Sequence, residues 1–278
     1  MNMLDQIVEN VSEIEYELMD AFWPGPFTII LNKKKGIANT ATCGGETVGV
    51  RMPSNKIAND LIKEAGVPIA APSANISGKP SGTKLSDIIN ELKDKVDYMI
   101  DGGETDIGIE STVVRVIDGE VRILRPGKVT KEDIERIISR VEIDKNVMGE
   151  ISNNEKVLSP GMKYRHYAPK THCKLVYSED YYKMKTKIYE LADKEKDDNA
   201  LILAFTENLK YYDKYKCLDI GSKNNLDEVS HNIFSLLRKI DDYNVSLAII
   251  EGMSLDGLGL AIMNRLIRAC EHDYIEIK

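Results

Sequence analysis

The sequence has 278 residues, of which 42% are hydrophobic and 29% charged, and its formal net charge is −8. A chain of this length and composition contains enough material for one large or two ordinary folded domains. The acidic balance argues against broad affinity for nucleic acid, and no apolar run is long enough to cross a bilayer. We therefore expect a cytoplasmic protein that does not associate with membranes and whose four scattered cysteines are reduced.

The first elements alternate between amphipathic helices and apolar strands. Apolar residues at helical spacing from Leu4 to Phe22 predict one helix, and "FTIILN" after "WPGP" predicts a strand. "TVGVRMP" and "VPIAA" are typical of strands, and "SNKIANDLIKEAG" between them is typical of a helix. Next along the chain, "SDIINELKDKV" predicts a further helix and "DYMIDGG" a further strand.

Two local signals follow. "STVVRVIDGEVRILRPG" alternates between apolar and polar residues around Asp118 and Gly119, which indicates a β-hairpin. Thr130 and Asp133 have the spacing of a capping box at the start of a helix. We therefore predict a mixed α/β domain over residues 1–142.

Periodicity is lost after this domain. Residues 143–170 contain "SNNEKVLSPGMKYRHYAPK", which we interpret as a linker. Four apolar segments then alternate with helical stretches: "CKLVYS", "NALILAF", "KCLDI" and "VSLAIIEG". This alternation is typical of a parallel, doubly wound sheet, so we predict a Rossmann-like α/β domain over residues 171–278.

The segment "APSANISGKPSGT", residues 71–83, indicates a ligand site. It follows an apolar strand pattern and consists almost entirely of small hydroxyl, amide and glycine residues. Open α/β sheets bind ligands at the carboxyl ends of their strands, and hydroxyls with backbone amides suit a phosphate or a sugar. The alternative interpretation is a polar loop that only caps the following helix.

Two arginines and a hydroxyl pair extend this candidate site. Arg51 follows the strand in "VGVRMP", Arg125 ends the hairpin in "RPG", and Ser111 with Thr112 begins a strand in "ESTVV". A partly buried guanidinium requires an anionic partner or a carboxylate ligand. Each of these residues alone is more often part of an ion pair or a cap.

The order and spacing of these motifs resemble the YrdC-type threonylcarbamoyl-AMP synthase family. The resemblance rests on "FWPGPFTIIL", "GVRMP", "APSANISGKPSGT", "IESTVV" and "ILRPG", and "SPGMKYRHYAPK" before an α/β domain resembles the two-domain form. It implies an α/β protein: a YrdC-like twisted mixed sheet with helices, followed by the Rossmann-like domain. Residues 143–170 would then form a lid over the active site.

The resemblance also implies an activity. Such enzymes convert L-threonine, bicarbonate and ATP to threonylcarbamoyl-adenylate and pyrophosphate, with Mg²⁺ accompanying the nucleotide and no permanently bound cofactor. A separate threonylcarbamoyl transferase then modifies tRNA adenosine. Double-stranded RNA binding is a property associated with the family, but for this acidic chain we expect tRNA contact to be weak or indirect.

Site residues follow from the resemblance by position. It implies that ATP is contacted by Thr47, Ser73, Ser81, Arg125 and, from the linker, Tyr164, with Tyr167 as the alternative tyrosine. It implies that Arg51, Ala71 and Ser111 border the threonine site, where Arg51 pairs with the amino-acid carboxylate. Positioning and charge neutralisation then supply most of the catalysis, without a covalent enzyme nucleophile.

The chain departs from the family pattern at its start. Family members begin with a strand carrying a Thr-rich motif, followed by a lysine and an arginine that handle phosphates and a histidine near the amino acid. These residues have no equivalent here, so we expect an incomplete first domain and weak activity in isolation. Because these family residues are missing, the catalytic residues of this chain stay unassigned.

Two other function classes remain open. One is a non-catalytic nucleotide- or RNA-binding protein. The other is a serine acyl-enzyme built on Ser81 and Lys84, an S-x-x-K pattern, although the accompanying S-x-N precedes it and no K-T-G follows.

Overall fold

A computed structural model of the chain describes residues 3–76, 79, 81–149, 168–195 and 199–278, without the side chain of Asn90. The described residues divide into two compact units, one formed by 3–73 with 110–149 and the other by 74–109 with 168–278. The sequence instead assigned all of 1–142 to the first domain. The boundaries 1–142, 143–170 and 171–278 stay predictions.

Helices and strands alternate along most of the described chain. In chain order they are α1 (Glu13–Phe22), β1 (Phe27–Asn32), β2 (Thr47–Val50), α2 (Lys56–Ala65), α3 (Leu85–Leu92), β3 (Thr112–Ile117), β4 (Glu120–Arg125), α4 (Lys131–Glu135), β5 (Val141–Ile143), β6 (His172–Ser178), α5 (Tyr181–Ala192), β7 (Ala200–Ala204), β8 (Lys216–Asp219), α6 (Leu226–Lys239), β9 (Leu247–Glu251), α7 (Leu258–Ala269) and β10 (Tyr274–Ile277).

The first unit contains a mixed sheet whose strand order is β2-β1-β3-β4-β5. Strand β1 runs parallel to β3 and antiparallel to β2, and the β3–β4 hairpin turns at Asp118 and Gly119 as expected. Both turn residues have positive φ, at 52° and 79°, which matches the two-residue turns that join twisted strands. Buried side chains of α1 and α4, including Leu18, Met19 and Ile134, belong to the same apolar cluster as those of the sheet.

The N-terminal helix is shorter than its apolar spacing predicts. Residues Leu4–Gln6 form a separate turn of 3-10 helix, and Asn10 adopts a left-handed backbone conformation with φ 57°. Ser12 then caps α1 in a capping box: Glu15 N donates to its hydroxyl, and Ser12 N donates to the Glu15 carboxylate at 2.7 Å. The apolar spacing continues through this break because both segments pack into one core.

The second unit contains a sheet of order β10-β6-β9-β7-β8 in which every neighbouring pair is parallel. All four strands predicted in this region are present. Strands β7 and β9 are buried along their whole length, as expected for strands covered on both faces. The predicted parallel α/β sheet is therefore confirmed.

Two predicted strands are wrong. "VPIAA" and "DYMIDGG" lie outside helices and strands, and their apolar side chains are exposed: Val67 by 53%, Ile69 by 46%, Tyr98 by 89% and Ile100 by 60%. Apolar runs report a tendency to be buried, whereas a strand also requires a hydrogen-bonded neighbour. Among the described residues, no strand pairs with either segment.

Candidate active site

The strand ends of the first sheet bring four of the quoted motifs together. Phe27, the first residue of β1, lies in register with Thr112, the first residue of β3. Val50 ends β2 opposite Ile29, and Arg125 ends β4 opposite Val113. One end of the sheet therefore collects "WPGP", "GVRMP", "ESTVV" and "LRPG".

Backbone hydrogen bonds around the "WPGP" turn hold this end together. Gly25 N donates to Met52 O at 2.9 Å, and Thr112 N donates to Pro26 O at 3.0 Å. A Cβ at Gly25 would lie 2.4 Å from Phe22 O, so the turn requires a glycine there. The motifs are thus fixed to one another by main-chain contacts, which are independent of a bound ligand.

Arg125 and Ser111, which the resemblance assigns to ATP and threonine respectively, are in direct contact. Arg125 donates from Nε and Nη2 to Ser111 O at 3.1 and 3.0 Å, and from Nη2 to Ser111 Oγ at 3.2 Å. Ser111 is buried, and its hydroxyl also contacts Thr28 Oγ1 at 2.8 Å. The guanidinium therefore fixes the position of the serine backbone and hydroxyl at the sheet end.

Thr28 is a residue of this cluster that the sequence analysis missed. It lies on β1, and its hydroxyl hydrogen-bonds Ser111 across the parallel β1–β3 pair. The available signal was a single hydroxyl side chain inside the apolar strand "FTIIL". A threonine is common in strands for its β-branched shape alone, so the pattern did not distinguish a structural residue from a site residue.

Gly127, after the hairpin, packs against the backbone on which Ser111 sits. A Cβ at this position would lie 2.4 Å from Thr112 N, 2.7 Å from Glu110 O and 2.8 Å from Ser111 C. Nearby, Thr112 Oγ1 donates to Val129 O at 2.6 Å. The residues that follow the hairpin therefore pack against the start of β3 and restrict its position.

Replacing Gly127 with alanine should destabilise the chain by about 1–3 kcal/mol, because the new methyl group meets backbone atoms that cannot rotate away. Urea unfolding of both proteins measures the difference. Gly149→Ala is the control, since among the described residues its Cβ would meet only Lys145 O, at 3.7 Å, and the expected change is within about 0.5 kcal/mol. Equal stability of the two variants would contradict the tight packing at Gly127.

Arg51 lies at the same end of the sheet as Ser111. It directly follows β2, where Val50 pairs with Ile29, and the residue is exposed. Partial desolvation lowers the pKa of its guanidinium, but arginine remains cationic at neutral pH. Ala71 and Ser73 are exposed and lie outside helices and strands.

Thr47 lies at the other end of β2. It pairs with Asn32, the last residue of β1, whereas Val50 pairs with Ile29. Thr47 and Val50 are three residue steps apart along the strand, which is about 10 Å. The structure therefore does not bring Thr47 next to Arg125.

Ser81 belongs to the second unit and is half-buried there. The loop around it is organised by side-chain contacts: Asn75 Nδ2 donates to Ile76 O at 3.0 Å and to Lys79 O at 3.1 Å, and Thr83 N donates to Asp87 Oδ2 at 3.0 Å. The two candidate linker tyrosines, Tyr164 and Tyr167, lie outside the described residues.

Neither a cluster of metal ligands nor a membrane-spanning helix is found among the described residues. Within them, no group of three or more histidine, cysteine, aspartate or glutamate side chains is arranged to hold a metal ion. None of the helices seen in this part of the chain is long and apolar enough to span a membrane.

Two models of known protein families together match nearly the whole chain. Residues 1–127 match the Sua5/YciO/YrdC family described as Telomere recombination, and residues 129–270 match the family described as Threonylcarbamoyl-AMP synthase, C-terminal domain. Both parts of the two-domain form are therefore matched. The comparisons do not support the expectation that the first domain is incomplete.

Comparisons with individual relatives point to the same family. The threonylcarbamoyl-AMP synthase of Pyrococcus abyssi is 38% identical over 99% of this chain and 78% of its own length, and that of Bacillus subtilis is 37% identical over 97% and 76%. The crystal structure of P. abyssi Sua5 complexed with L-threonine has a TM-score of 0.90, with 37% identity, and covers all of this chain and 80% of that one. The chain therefore belongs to the threonylcarbamoyl-AMP synthase family.

Proposed function

We propose that this chain is an L-threonylcarbamoyladenylate synthase. The observation that carries the proposal is the contact between Arg125 and Ser111 at the sheet end where the family motifs converge. It joins a cation suited to phosphate with a buried hydroxyl, at the sheet end where the exposed Arg51 also lies. The relative in Pyrococcus abyssi that shares 38% identity is named for the same reaction.

The reaction depends on correctly placed charged groups more than on a nucleophilic side chain of the enzyme. The neutral amine of threonine attacks the carbon of bicarbonate and releases water, which gives a carbamate. A carbamate oxygen then attacks the α-phosphorus of ATP, and the bond to the leaving pyrophosphate breaks. Holding these reactants in line and offsetting the phosphate charge supply the rate enhancement. Mg²⁺ enters as part of the nucleotide substrate and offsets polyphosphate charge.

The proposed residue roles follow from charge and size. Arg51 binds the threonine carboxylate through its planar guanidinium, and Ala71 leaves space for the amino acid. Ser111 borders the threonine. Arg125 holds Ser111 in place and also faces the nucleotide phosphates. Thr47, Ser73, Ser81 and Tyr164 are assigned to ATP; for Thr47 this requires the nucleotide to reach the far end of β2.

The product is a labile mixed anhydride, so a separate enzyme that transfers the threonylcarbamoyl group to tRNA adenosine must consume it. We place this chemistry in the cytoplasm. With a net charge of −8, the chain itself makes only weak or indirect contact with tRNA. Residues 143–170 are assigned the role of a lid that excludes water from the adenylate.

The proposal is tested by mass-spectrometric detection of threonylcarbamoyl-adenylate. The purified chain is mixed with ATP, Mg²⁺, bicarbonate and L-threonine, and parallel reactions omit threonine or bicarbonate. We expect a product that requires both. A folded chain that binds ATP but forms no product would overturn the proposal and favour the non-catalytic nucleotide-binding alternative.

A further inference from the structure

Glu91, near the end of α3, accepts hydrogen bonds from several donors within the second unit. Glu91 accepts hydrogen bonds from Ile76 N at 3.3 Å and from Lys79 Nζ at 3.2 Å. Both donors belong to the loop that also contains Ser81, which we call the hydroxyl loop: the described residues 74–76, 79 and 81–83. Glu91 therefore anchors one side of this loop through a backbone amide as well as a side chain.

The third donor to Glu91 comes from the C-terminal part of the chain. Arg238, near the end of α6, donates from Nη1 to Glu91 Oε1 at 3.0 Å and to Asp87 O at 3.1 Å. The side chains of Arg238 and Glu91 are only 17% and 11% exposed. An ion pair shielded from water to this extent is stronger than a pair on the open surface.

Helix α6 contacts the 74–109 segment at two further places. A Cβ at Gly108 would lie 2.3 Å from the carbonyl oxygens of both Ser230 and His231, so this glycine lies directly against the helix backbone. His231 Nε2 is 3.6 Å from Glu104 Oε1. Arg238 thus acts from a helix that is already docked against the segment, and its guanidinium is not required to create that contact.

The charge on Glu91 is consistent with this arrangement. Desolvation, the largest single effect, raises the pKa of its carboxyl, but the hydrogen bonds from Arg238, Ile76 and Lys79 together hold the pKa below its ordinary value. Glu91 is therefore ionised at neutral pH and can accept all three donors at once.

We propose that Arg238 is a positioning residue for the nucleotide site, acting through Glu91 on the hydroxyl loop. This inference rests on the proposed function, because Ser81 of that loop is assigned to ATP. It gives the C-terminal α/β domain a definite part in the reaction: one of its helices sets the position of a loop that binds substrate. Arg238 itself does not touch the reactants.

The test compares Arg238→Met with Lys239→Met in the full-length chain. Lys239 is the next residue of α6 and is exposed, so its substitution removes the same charge without touching Glu91. We expect Arg238→Met to raise the KM for ATP about tenfold while kcat changes less than about threefold, because a charge-assisted hydrogen bond is lost from the support of a binding loop. Lys239→Met should leave both constants within about twofold.

Hydrogen exchange provides a readout that does not require turnover. The Ile76 amide, which donates to Glu91, should exchange about tenfold faster in Arg238→Met than in the wild-type chain or in Lys239→Met. If the wild-type chain forms no product, the proposed function fails. In that case, the exchange rate of the Ile76 amide and the Kd for ATP, measured by calorimetry, still test the positioning role of Arg238.

Two further variants keep the inference open to refutation if Arg238→Met does not fold. Glu91→Gln keeps the size of the side chain but removes its charge, and it should weaken ATP binding about threefold. The exchanged pair Glu91→Arg with Arg238→Glu should not recover the affinity, because an arginine at position 91 cannot accept the bonds from Ile76 N and Lys79 Nζ. Arg238→Met and Glu91→Gln behaving like Lys239→Met in ATP binding and in Ile76 exchange would overturn the proposal.

Discussion

Substitution of Arg125 by methionine should lower the rate of threonylcarbamoyl-adenylate formation by about a hundredfold or more. Two effects combine. The cation that we propose offsets charge on the phosphates is lost, and Ser111 loses the donors that reach both its carbonyl oxygen and its hydroxyl. Initial rates at saturating ATP, threonine and bicarbonate measure the change, and circular dichroism establishes that the variant is folded.

The matched control is Arg122→Met on the same strand. Arg122 is half-buried, and its ion pair with Glu142 on the neighbouring strand is long, at 3.8 Å. Removing it should leave the rate within about twofold, since such pairs contribute little. Arg125→Lys should recover only a small part of the activity, because an ammonium group cannot reproduce the planar set of contacts to Ser111. Full activity in Arg125→Lys would show that charge alone is sufficient.

Substitution of Glu251 by leucine should destabilise the chain by about 3–5 kcal/mol. Glu251 ends β9 and is fully buried. Its carboxylate accepts hydrogen bonds from Phe205 N and Tyr212 Oη, both at 2.8 Å, and from Asn208 Nδ2 at 3.0 Å to each oxygen. Leucine would leave these donors buried without an acceptor, which costs more than the bonds themselves contribute. Urea unfolding measures the loss.

An exposed glutamate on the same sheet provides the control for Glu251. Glu276 lies on β10, and Glu276→Leu should change the free energy of unfolding by no more than about 0.5 kcal/mol. If the two leucine variants are equally stable, the donors around Glu251 are satisfied by other groups and the buried network is not important for stability.

The same carboxyl group should make stability depend on pH. Desolvation raises the pKa of Glu251 above its ordinary value of 4.5. The unfolded chain therefore loses this proton at a lower pH than the folded chain does. Its contribution to stability is complete below about pH 4.5 and is lost as pH rises through the raised pKa. Glu251→Gln should remove this component, which urea titrations between pH 4 and pH 8 would detect as a flatter stability profile.

The local sequence signals that required no distant partner were reliable. The Asp118-Gly119 hairpin and the capping box of Thr130 with Asp133 are both present. The four apolar runs of the second sheet are strands, because a short apolar segment that alternates with helices is buried wherever it lies in a parallel sheet. The backbone preferences of turns and helix caps are properties of a few adjacent residues, and the sequence reports them directly.

Strand pairing was less predictable, as "VPIAA" and "DYMIDGG" illustrate. Both have the apolar content of buried strands, yet Val67 and Tyr98 are exposed and neither segment joins a sheet. Pairing depends on a second strand elsewhere in the chain, and nothing in the local pattern identifies it. The same limit explains why Thr47, grouped with Arg125 by resemblance, lies at the other end of its strand.

By itself, the sequence determined the family and the fold class, and it supplied the set of small and cationic residues from which the proposed site is built. Only the tertiary structure decided which of those residues meet. Arg125 reaches Ser111 because the β3–β4 hairpin returns the chain to the same sheet end, 14 residues later. Arg238 reaches Glu91 across 147 residues because α6 docks on the segment that contains α3. Such contacts depend on packing between elements that are distant in sequence, and residue type and spacing along the chain do not encode that packing in any local form.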